Sequence, residues 1–538
     1  MTFIEYKEQL LNYLYQEKTL MERDIELHQN LSDEEKIEQG YLIKNCEVTN
    51  FIDGVYELNA QVNNTKLRAG DRVAFIGKGS NTSINATVIE NFFTQLSVET
   101  KGELLVSLKY DVYVKEAVFL DPLISLLEGL EDGASGSYYL EMLSGIKEPV
   151  DKGFLPINVE SVSIPQNLNE AQRDAISKAV NKPSLYCIQG PPGTGKTAVL
   201  ATIARAFSES GKEVLVVSNT HQAVNNALNT IVDNPVPVVK IGETLKAQEL
   251  DDKIQKAKSF SEYLRSRPRR VRGQNGVIVG MTLHAAIINL GLRKSGFSPS
   301  VVLVDEAGQI PLTFGAAIGT FGAGSVVFIG DDRQMPPIFH PELEKDELSV
   351  SIFSHITKMY PAFKTVLDTT YRMNHDIAKF VSKNFYEPYG VSLKSVRKPK
   401  YEDSIEVYSI PIDRDNLCKD LNPAEAKIAS ELALKWVKMG LEVAIVTPFR
   451  KQVNSIHGVM SQLFAENEIE EIPIVDTVER LQGQSVDVII ISTAVSDMDY
   501  YDNMEAFILE PHRLNVMCSR AKDKVVFVKS DIVSLPEL

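Results

Sequence analysis

The sequence predicts an α/β protein: two doubly wound parallel-sheet domains with an N-terminal helical stalk and a small β-barrel. Three observations carry that reading. Beyond residue 165, short continuous apolar runs alternate with helical stretches, the pattern of parallel strands covered on both faces. Between residues 41 and 118, short β-rich runs are separated by Gly, Asn and Asp turns, as in a small barrel. The length, 538 residues, allows three or four folded units, each with its own core.

The stalk occupies residues 1–40, where a helix is expected over 4–38 with Leu10, Leu11, Leu14, Ile25 and Leu27 as its apolar positions. The barrel, 41–118, takes strands from YELNAQV, RVAFIG, NATVIE and ELLVSLKYDVYV, with turns such as Ala69-Gly70-Asp71. A helical return and linker follow over 119–164, broken at Asp132-Gly133. The first parallel domain, 165–345, strings together LYCIQG, EVLVVSNT, NGVIVGMT, SVVLVDEA and SVVFIGDD. The second, 346–538, contributes LEVAIVTPF, IPIVDTV, SVDVIIISTAV and DKVVFVKS.

Composition narrows the class. A hydrophobic fraction of 44% and a charged fraction of 24% exclude a disordered chain and a small disulfide scaffold. Cys46, Cys187, Cys418 and Cys518 are too far apart for a Cys-based zinc site and read as reduced thiols. The acidic N-terminus lacks the basic lead of a signal peptide, and no apolar run reaches membrane-span length, so a soluble, cytoplasmic protein is expected. With 56 Lys+Arg against 72 Asp+Glu the net charge is −16, which by itself argues against a nucleic-acid partner. The distribution reverses that argument. The first 150 residues hold −12 of it, whereas residues 251–300 carry +7 and 351–400 carry +6. The acidic N-terminal third is also a candidate surface for a protein partner.

Gly190-Pro-Pro-Gly193-Thr194-Gly195-Lys196-Thr197 fits G-x4-G-K-[ST], and it follows an expected strand and opens an expected helix. Glycines let backbone N–H groups close on phosphate oxygens, Lys196 faces the β/γ-phosphates and Thr197 a Mg²⁺ ion. Asp305-Glu306 ends an apolar strand, where an α/β sheet gathers its functional groups. Asp305 suits the Mg²⁺, and Glu306 suits a base that orients the attacking water.

Further motifs follow in order. Leu168-Asn169-Glu170-Ala171-Gln172 precedes the phosphate loop, and Ser218-Asn219-Thr220-His221-Gln222 and Met281-Thr282 come after it. Next are Asp305-Glu306-Ala307-Gly308-Gln309, Gly330-Asp331-Asp332-Arg333-Gln334-Met335-Pro336-Pro337 and Thr370-Tyr371-Arg372-Met373-Asn374. The series ends with Thr447-Pro448-Phe449, Asp476-Thr477 through Gly483-Gln484, and Arg513-Leu514-Asn515 through Arg520-Ala521-Lys522. From about residue 165 to 530 this series resembles the superfamily-one helicases, most closely their up-frameshift-like branch. The resemblance implies two RecA-like domains with ATP between them. It implies Gln172 as adenine reader, Gln334 as γ-phosphate sensor, Arg372 and Arg520 as phosphate-facing arginines, and Gly483 beside the nucleotide. It implies strand contacts from Ser218, Asn219, Thr282, Thr447, Pro448 and Thr477, and ATP-driven 5′-to-3′ movement on single-stranded RNA or DNA.

There are departures from the family pattern. Ser485 stands where the family usually has a ribose-contacting Glu, and Met335 where Leu is usual. No Cys/His regulatory domain or nuclease is recognised beside the core. The run Arg265, Arg267, Arg269, Arg270 and Arg272 offers a basic lip for a strand. The rival reading is an ATPase switch that binds strands or remodels a partner without unwinding. The charge distribution yields one expectation for any strand partner: affinity is modest and falls steeply with ionic strength. A filter-binding series from low to high salt checks it, and tight, salt-independent binding would contradict it.

Overall fold

The computed structural model describes residues 2–537 apart from 53, 68–70, 78–82, 93, 117, 135, 150–164, 166, 182–183, 233–235, 243–249, 267–275, 293–296, 298 and 482. Four of the five arginines of the basic lip, and the later part of the expected linker, lie outside the described residues.

The expected single N-terminal helix is two. The first, Phe3–Asn30, opens with a capping box in which Thr2 and Glu5 exchange side chain-to-backbone hydrogen bonds. Ser32 and Glu35 repeat the device and start a second helix, Asp33–Gln39. A strong start signal inside a continuous helical pattern therefore interrupts it. Leu10 and Leu14 are buried as expected, but Leu27 is exposed. The buried face, with Phe3 and Tyr6, packs on Leu123, Leu127, Leu140 and Leu143 of helices Asp121–Glu128 and Ser137–Leu143. That core is continuous with one face of the first parallel sheet.

Six antiparallel strands close into a barrel in the order β1-β2-β5-β4-β3-β6. They are β1 (Leu42–Ile52), β2 (Val55–Asn59), β3 (Arg72–Gly77), β4 (Ser83–Phe92), β5 (Gln95–Thr100) and β6 (Lys109–Val114). Ile43, Val48, Leu58, Val73, Phe75 and Val98 fill its interior. Residues 103–108, expected to be strand, are not. Leu105, Val106 and Leu108 are exposed, and Ser107 turns the chain at φ +66. Strands β1 and β5 were not anticipated from the sequence.

The first sheet is fully parallel: β7 (Leu185–Gln189), β8 (Glu213–Ser218), β9 (Val238–Ile241), β10 (Gln255–Ala257), β11 (Val277–Thr282), β12 (Val301–Val304), β13 (Ser325–Gly330) and β14 (Lys364–Val366). Their order is β10-β9-β11-β8-β12-β13-β7-β14. Alternate residues face two separate cores: Leu185 and Cys187 face one, Tyr186 and Ile188 the other. This is why the strands read as unbroken apolar runs. Strand β14 pairs with β7, so the first sheet extends past residue 345.

Beyond it, β15 (Thr369–Asn374) pairs with β16 (Lys394–Arg397). A second parallel sheet follows, in the order β17-β21-β20-β18-β19. Its strands are β17 (Ile405–Ile410), β18 (Val443–Val446), β19 (Ile474–Asp476), β20 (Val486–Ser492) and β21 (Ala521–Ser530). Among the described residues no helix is long and apolar enough to cross a membrane.

One buried network locks the second sheet to its helices. Glu425, fully buried, accepts hydrogen bonds from Ser492 Oγ (2.8 Å), Thr493 Oγ1 (3.3 Å) and the Ala494 backbone N–H (2.7 Å). They hold Ala494 in a left-handed conformation, φ +68, that only structural over-determination sustains. Burial pushes the Glu425 carboxyl up to about 7, against its usual value of 4.5, while these bonds oppose the shift. A raised folded value means the fold holds this proton more tightly than the unfolded chain does. The stability this group contributes is therefore complete below pH 4.5 and declines as pH rises through 7. Glu425→Ala should destabilise the protein by about 3 kcal/mol, because it strands several buried donors. Denaturant titration checks that value. Melting curves between pH 5 and 8 should show a decline that is weaker in Glu425→Gln.

Candidate active site at the cleft between the sheets

The phosphate loop leaves β7 at Gln189 and enters helix Lys196–Glu209. Gly193 and Gly195 have φ of +73 and +81. A Cβ on Gly193 would come within 2.5 Å of Arg372 Cβ, so glycine is needed there for both conformation and close approach. A Cβ on Gly190 would meet Lys196 Cγ at 2.4 Å. Lys196 Nζ donates to Gly190 O at 2.6 Å, and Thr194 Oγ1 donates to Pro191 O at 2.7 Å.

The first residues of β15, from the second domain, lie directly on this loop. Thr370 Oγ1 donates to Pro192 O (2.8 Å), and the Tyr371 N–H donates to Gly193 O (2.8 Å). These bonds set Arg372 over the loop. Arg372 Nη1 donates to Ser519 O at 3.2 Å, beside Arg520. Arg520 is 4% exposed, and its Nη2 donates to Gln334 Oε1 at 3.3 Å. Burial and the neighbouring Arg372 push the Arg520 guanidinium down to about 9, with Glu306 opposing. Burial likewise lowers Arg372, again with Glu306 opposing. Two crowded guanidiniums facing a phosphate loop make a site that an anion would relieve.

Asp305 and Glu306 follow β12. Burial, then the adjacent Glu306, raises the Asp305 carboxyl to about 7, while Lys196 and the Glu306 N–H act to lower it. Its Oδ1 accepts that N–H at 3.0 Å. Glu306 has φ +52 and accepts from Gln309 Nε2 at 3.2 Å. Among the described residues no group of three His, Cys, Asp or Glu could hold a metal. Asp305 and the Thr197 hydroxyl are hard oxygen donors lining one cleft, which fits Mg²⁺, an ion that takes few protein ligands and completes its shell with phosphate and water.

The cleft has a volume of about 1130 Å³ and also admits Gly483, Gln484 and Ser485 of the second domain. Barrel residues Leu67, Ile89 and Asn91 close one side. Gln172 lies behind the loop, 3% exposed. Its Nε2 donates to Thr194 O (2.9 Å), bracing the loop, while its Oε1 accepts the Asn169 N–H (2.9 Å) at the start of its own helix, so both ends of the amide are engaged.

The expected strand residues divide. Ser218 and Asn219 line the cleft, with Asn219 exposed and Ser218 buried. Thr282 is buried, capping helix Leu283–Ala286 through the Ala285 N–H, and Thr447 is fully buried. Pro448 and Thr477 are half-buried and do not line the cleft. Ser218 and Thr282 end strands β8 and β11, Thr447 follows β18, and all three side chains are buried in this conformation.

The structure adds residues that motif reading passed over. Tyr371, 41% exposed, lines the cleft and receives Asn169 Nδ2 at 3.0 Å on its hydroxyl. Its position beside Arg372 was the available signal. Asp331, Tyr386 and Asn515 meet in a buried cluster at the domain border, and Tyr386 lies in a helical stretch with no distinguishing spacing.

Residues 167–347 and 348–531 each match a family model described as an AAA domain. The chain is similar to the DNA replication ATP-dependent helicase/nuclease DNA2 of Bos taurus, 26% identical, with 91% of this chain and 50% of that protein covered. The Homo sapiens protein of that name shows the same identity and shares. The chain thus spans about half the length of these relatives. The uncharacterized ATP-dependent helicase MJ0104 of Methanocaldococcus jannaschii is 25% identical, with 79% of this chain and 76% of that protein covered. A solved structure, the Arterivirus nonstructural protein 10 helicase, aligns at a TM-score of 0.41 and 13% identity over 90% of this chain and 76% of that one. Two AAA-domain matches in tandem, relatives named as ATP-dependent helicases and a cleft built from the ordered motifs agree: the chain carries two AAA domains side by side and resembles the superfamily-one helicases.

Proposed function

We propose that this protein is an ATP-dependent helicase or translocase on single-stranded nucleic acid, hydrolysing ATP in the cleft between its two parallel-sheet domains. The observation that carries the reading is the entry of two second-domain arginines into one cleft with the phosphate loop: Arg372 over the loop itself and Arg520 on Gln334 of the first domain. In this reading the loop amides and Lys196 hold the β/γ-phosphates, and Glu306 orients the attacking water and accepts its proton. A Mg²⁺ ion held by Thr197 and Asp305 would neutralise phosphate charge. Arg372 and Arg520 stabilise charge developing on the transferred group, which they reach only when the cleft is shut. Hydrolysis is thereby tied to closure, and closure to movement along a strand. Tyr371 offers an exposed ring at the cleft where a base can stack. Gln172 acts on the nucleotide through the loop it braces.

The relatives named for DNA replication make single-stranded DNA the first strand to test, and the branch resemblance makes 5′-to-3′ the expected direction. Asn219 is the exposed strand contact of the first domain in this reading. The free cysteines, with Cys46, Cys187 and Cys518 buried, support a reducing, cytoplasmic setting. Ser485 lining the cleft favours one alternative, an ATPase switch with weaker coupling to strands.

Lys196→Ala and Arg520→Ala should each lower ATP turnover at least about 100-fold while single-strand binding persists. A phosphate-release assay with a parallel binding isotherm checks this, and normal turnover by Lys196→Ala would sink the reading. ATPase titrated with matched RNA and DNA, then displacement from 5′- and 3′-tailed duplexes, separates helicase from switch. Strand-indifferent turnover favours the switch. Gln172→Ala should raise KM for ATP through a loosened loop, measurable as a weaker ATP dependence of turnover with strand in excess.

A further inference from the structure

Tyr386 ends the short helical segment Ser382–Tyr386 of the second domain and is fully buried. Its ring packs in the second-domain core with Met373, Ile377, Leu514 and Val516. A phenylalanine would fill that space equally well. The hydroxyl, however, leaves the core and donates to Asp331 Oδ2 of the first domain at 2.6 Å. The same oxygen accepts Gln334 Nε2 at 2.7 Å. Asn515 Nδ2 donates to Tyr386 Oη at 2.9 Å and to Arg333 O, on the first domain, at 2.6 Å. Gln334 Oε1 in turn accepts from Arg520, two residues past the helix Pro511–Cys518 that carries Asn515. The bonds form a ring that runs from the second domain to the first and back, with Gln334 inside it.

The direction of each bond matters. Gln334 has one amide nitrogen and one amide oxygen. Once Asp331 Oδ2 holds the nitrogen, the oxygen must point at Arg520. Asp331 is 2% exposed, and burial raises its carboxyl. Its donors are Tyr386, Gln334 and the Arg333 backbone N–H at 3.2 Å. Burial and Asp331 hold the Tyr386 hydroxyl well above 10, so it stays protonated as a donor at neutral pH. A short O–H···O⁻ bond inside protein is strong, and it exists only when the two domains touch.

We propose that Tyr386 is a positioning residue: its hydroxyl latches the second domain to Asp331 and so aims Gln334 at Arg520 only in the closed cleft. The chemical consequence rests on the ATPase reading above, while the latch itself does not. When a terminal phosphate attracts Arg520, the Asp331–Tyr386 bond keeps the Gln334 carboxamide in place instead of letting it follow.

Two measurements on the full chain test this. The first is the distance between labels at Ser210→Cys and Met439→Cys in a Cys418→Ser background, without nucleotide. Tyr386→Phe should broaden and lengthen the distribution, and Asp331→Ala, which removes the other end of the bond, should do the same. An unchanged distribution in both overturns the latch. The second is steady-state ATP turnover. Tyr386→Phe should lower kcat about tenfold with KM for ATP within about twofold, and add no further loss in a Gln334→Ala background. A kcat within about twofold of wild type, or a loss fully additive with Gln334→Ala, overturns the positioning role. A wild-type chain without turnover overturns the ATPase reading instead, and the label distances then decide on the latch alone.

Discussion

Two buried positive charges held together, with Glu306 near both but, among the described residues, no carboxylate within ion-pair distance of either, are the constraint around which this molecule is arranged. Arg372 and Arg520 come from different segments of the second domain, repel each other, and share one cleft with the phosphate loop of the first. Burial makes the repulsion costly, because there is little water to screen it. The protein tolerates it through backbone and amide acceptors: Ser519 O for Arg372, Gln484 O and Gln334 Oε1 for Arg520. These are weaker partners than a phosphate, so an anion in the cleft can draw the arginines away from them. The glycines of the loop, the Thr370 and Tyr371 bonds and the Gln334 network all serve this approach.

The rest of the chain is fastened to the cleft rather than hung beside it. The N-terminal helix shares a core with the first sheet and also bonds to the segment after the Gln334 motif. Tyr13 meets Ser349 at 2.8 Å, Arg23 meets Glu342 at 2.7 Å, and Asp24 meets His340 at 3.0 Å. The barrel reaches the second domain from the other side, where Arg480 Nη2 donates to Leu67 O at 2.7 Å and Asn454 Nδ2 to Asn64 Oδ1 at 3.3 Å. Stalk and barrel therefore touch both domains, and any change in domain spacing must be accommodated at these contacts. One of them, Arg23–Glu342, is an exposed ion pair of small individual worth, and the others are single hydrogen bonds, which suits a joint that has to yield.

Legibility followed physics. The parallel strands were readable because burial on both faces demands unbroken apolar runs, and the phosphate loop because close backbone approach demands glycine at fixed spacing. The barrel was read less completely. Its strands are short, one β-rich run turned out to be an exposed turn at Leu105–Leu108, and β1 and β5 mix polar residues freely because one face of a barrel strand meets water. Motif spelling named Ser218, Thr282 and Thr447 as strand contacts, but a letter in a motif does not state which way its side chain leaves a strand. In this conformation all three are buried.

By itself, the sequence determined the class of fold, the order of its parts and the chemistry available at the cleft, because composition, apolar periodicity and residue spacing are local properties of the chain. Tertiary structure decided which groups meet. Gln172, which the resemblance implies as adenine reader, bonds to the phosphate loop at Thr194 O. Tyr386, with no motif to mark it, reaches Asp331 across 55 residues of chain. Such pairings depend on the packing of two separately built sheets, and the geometry of that packing is written nowhere in the sequence around either partner.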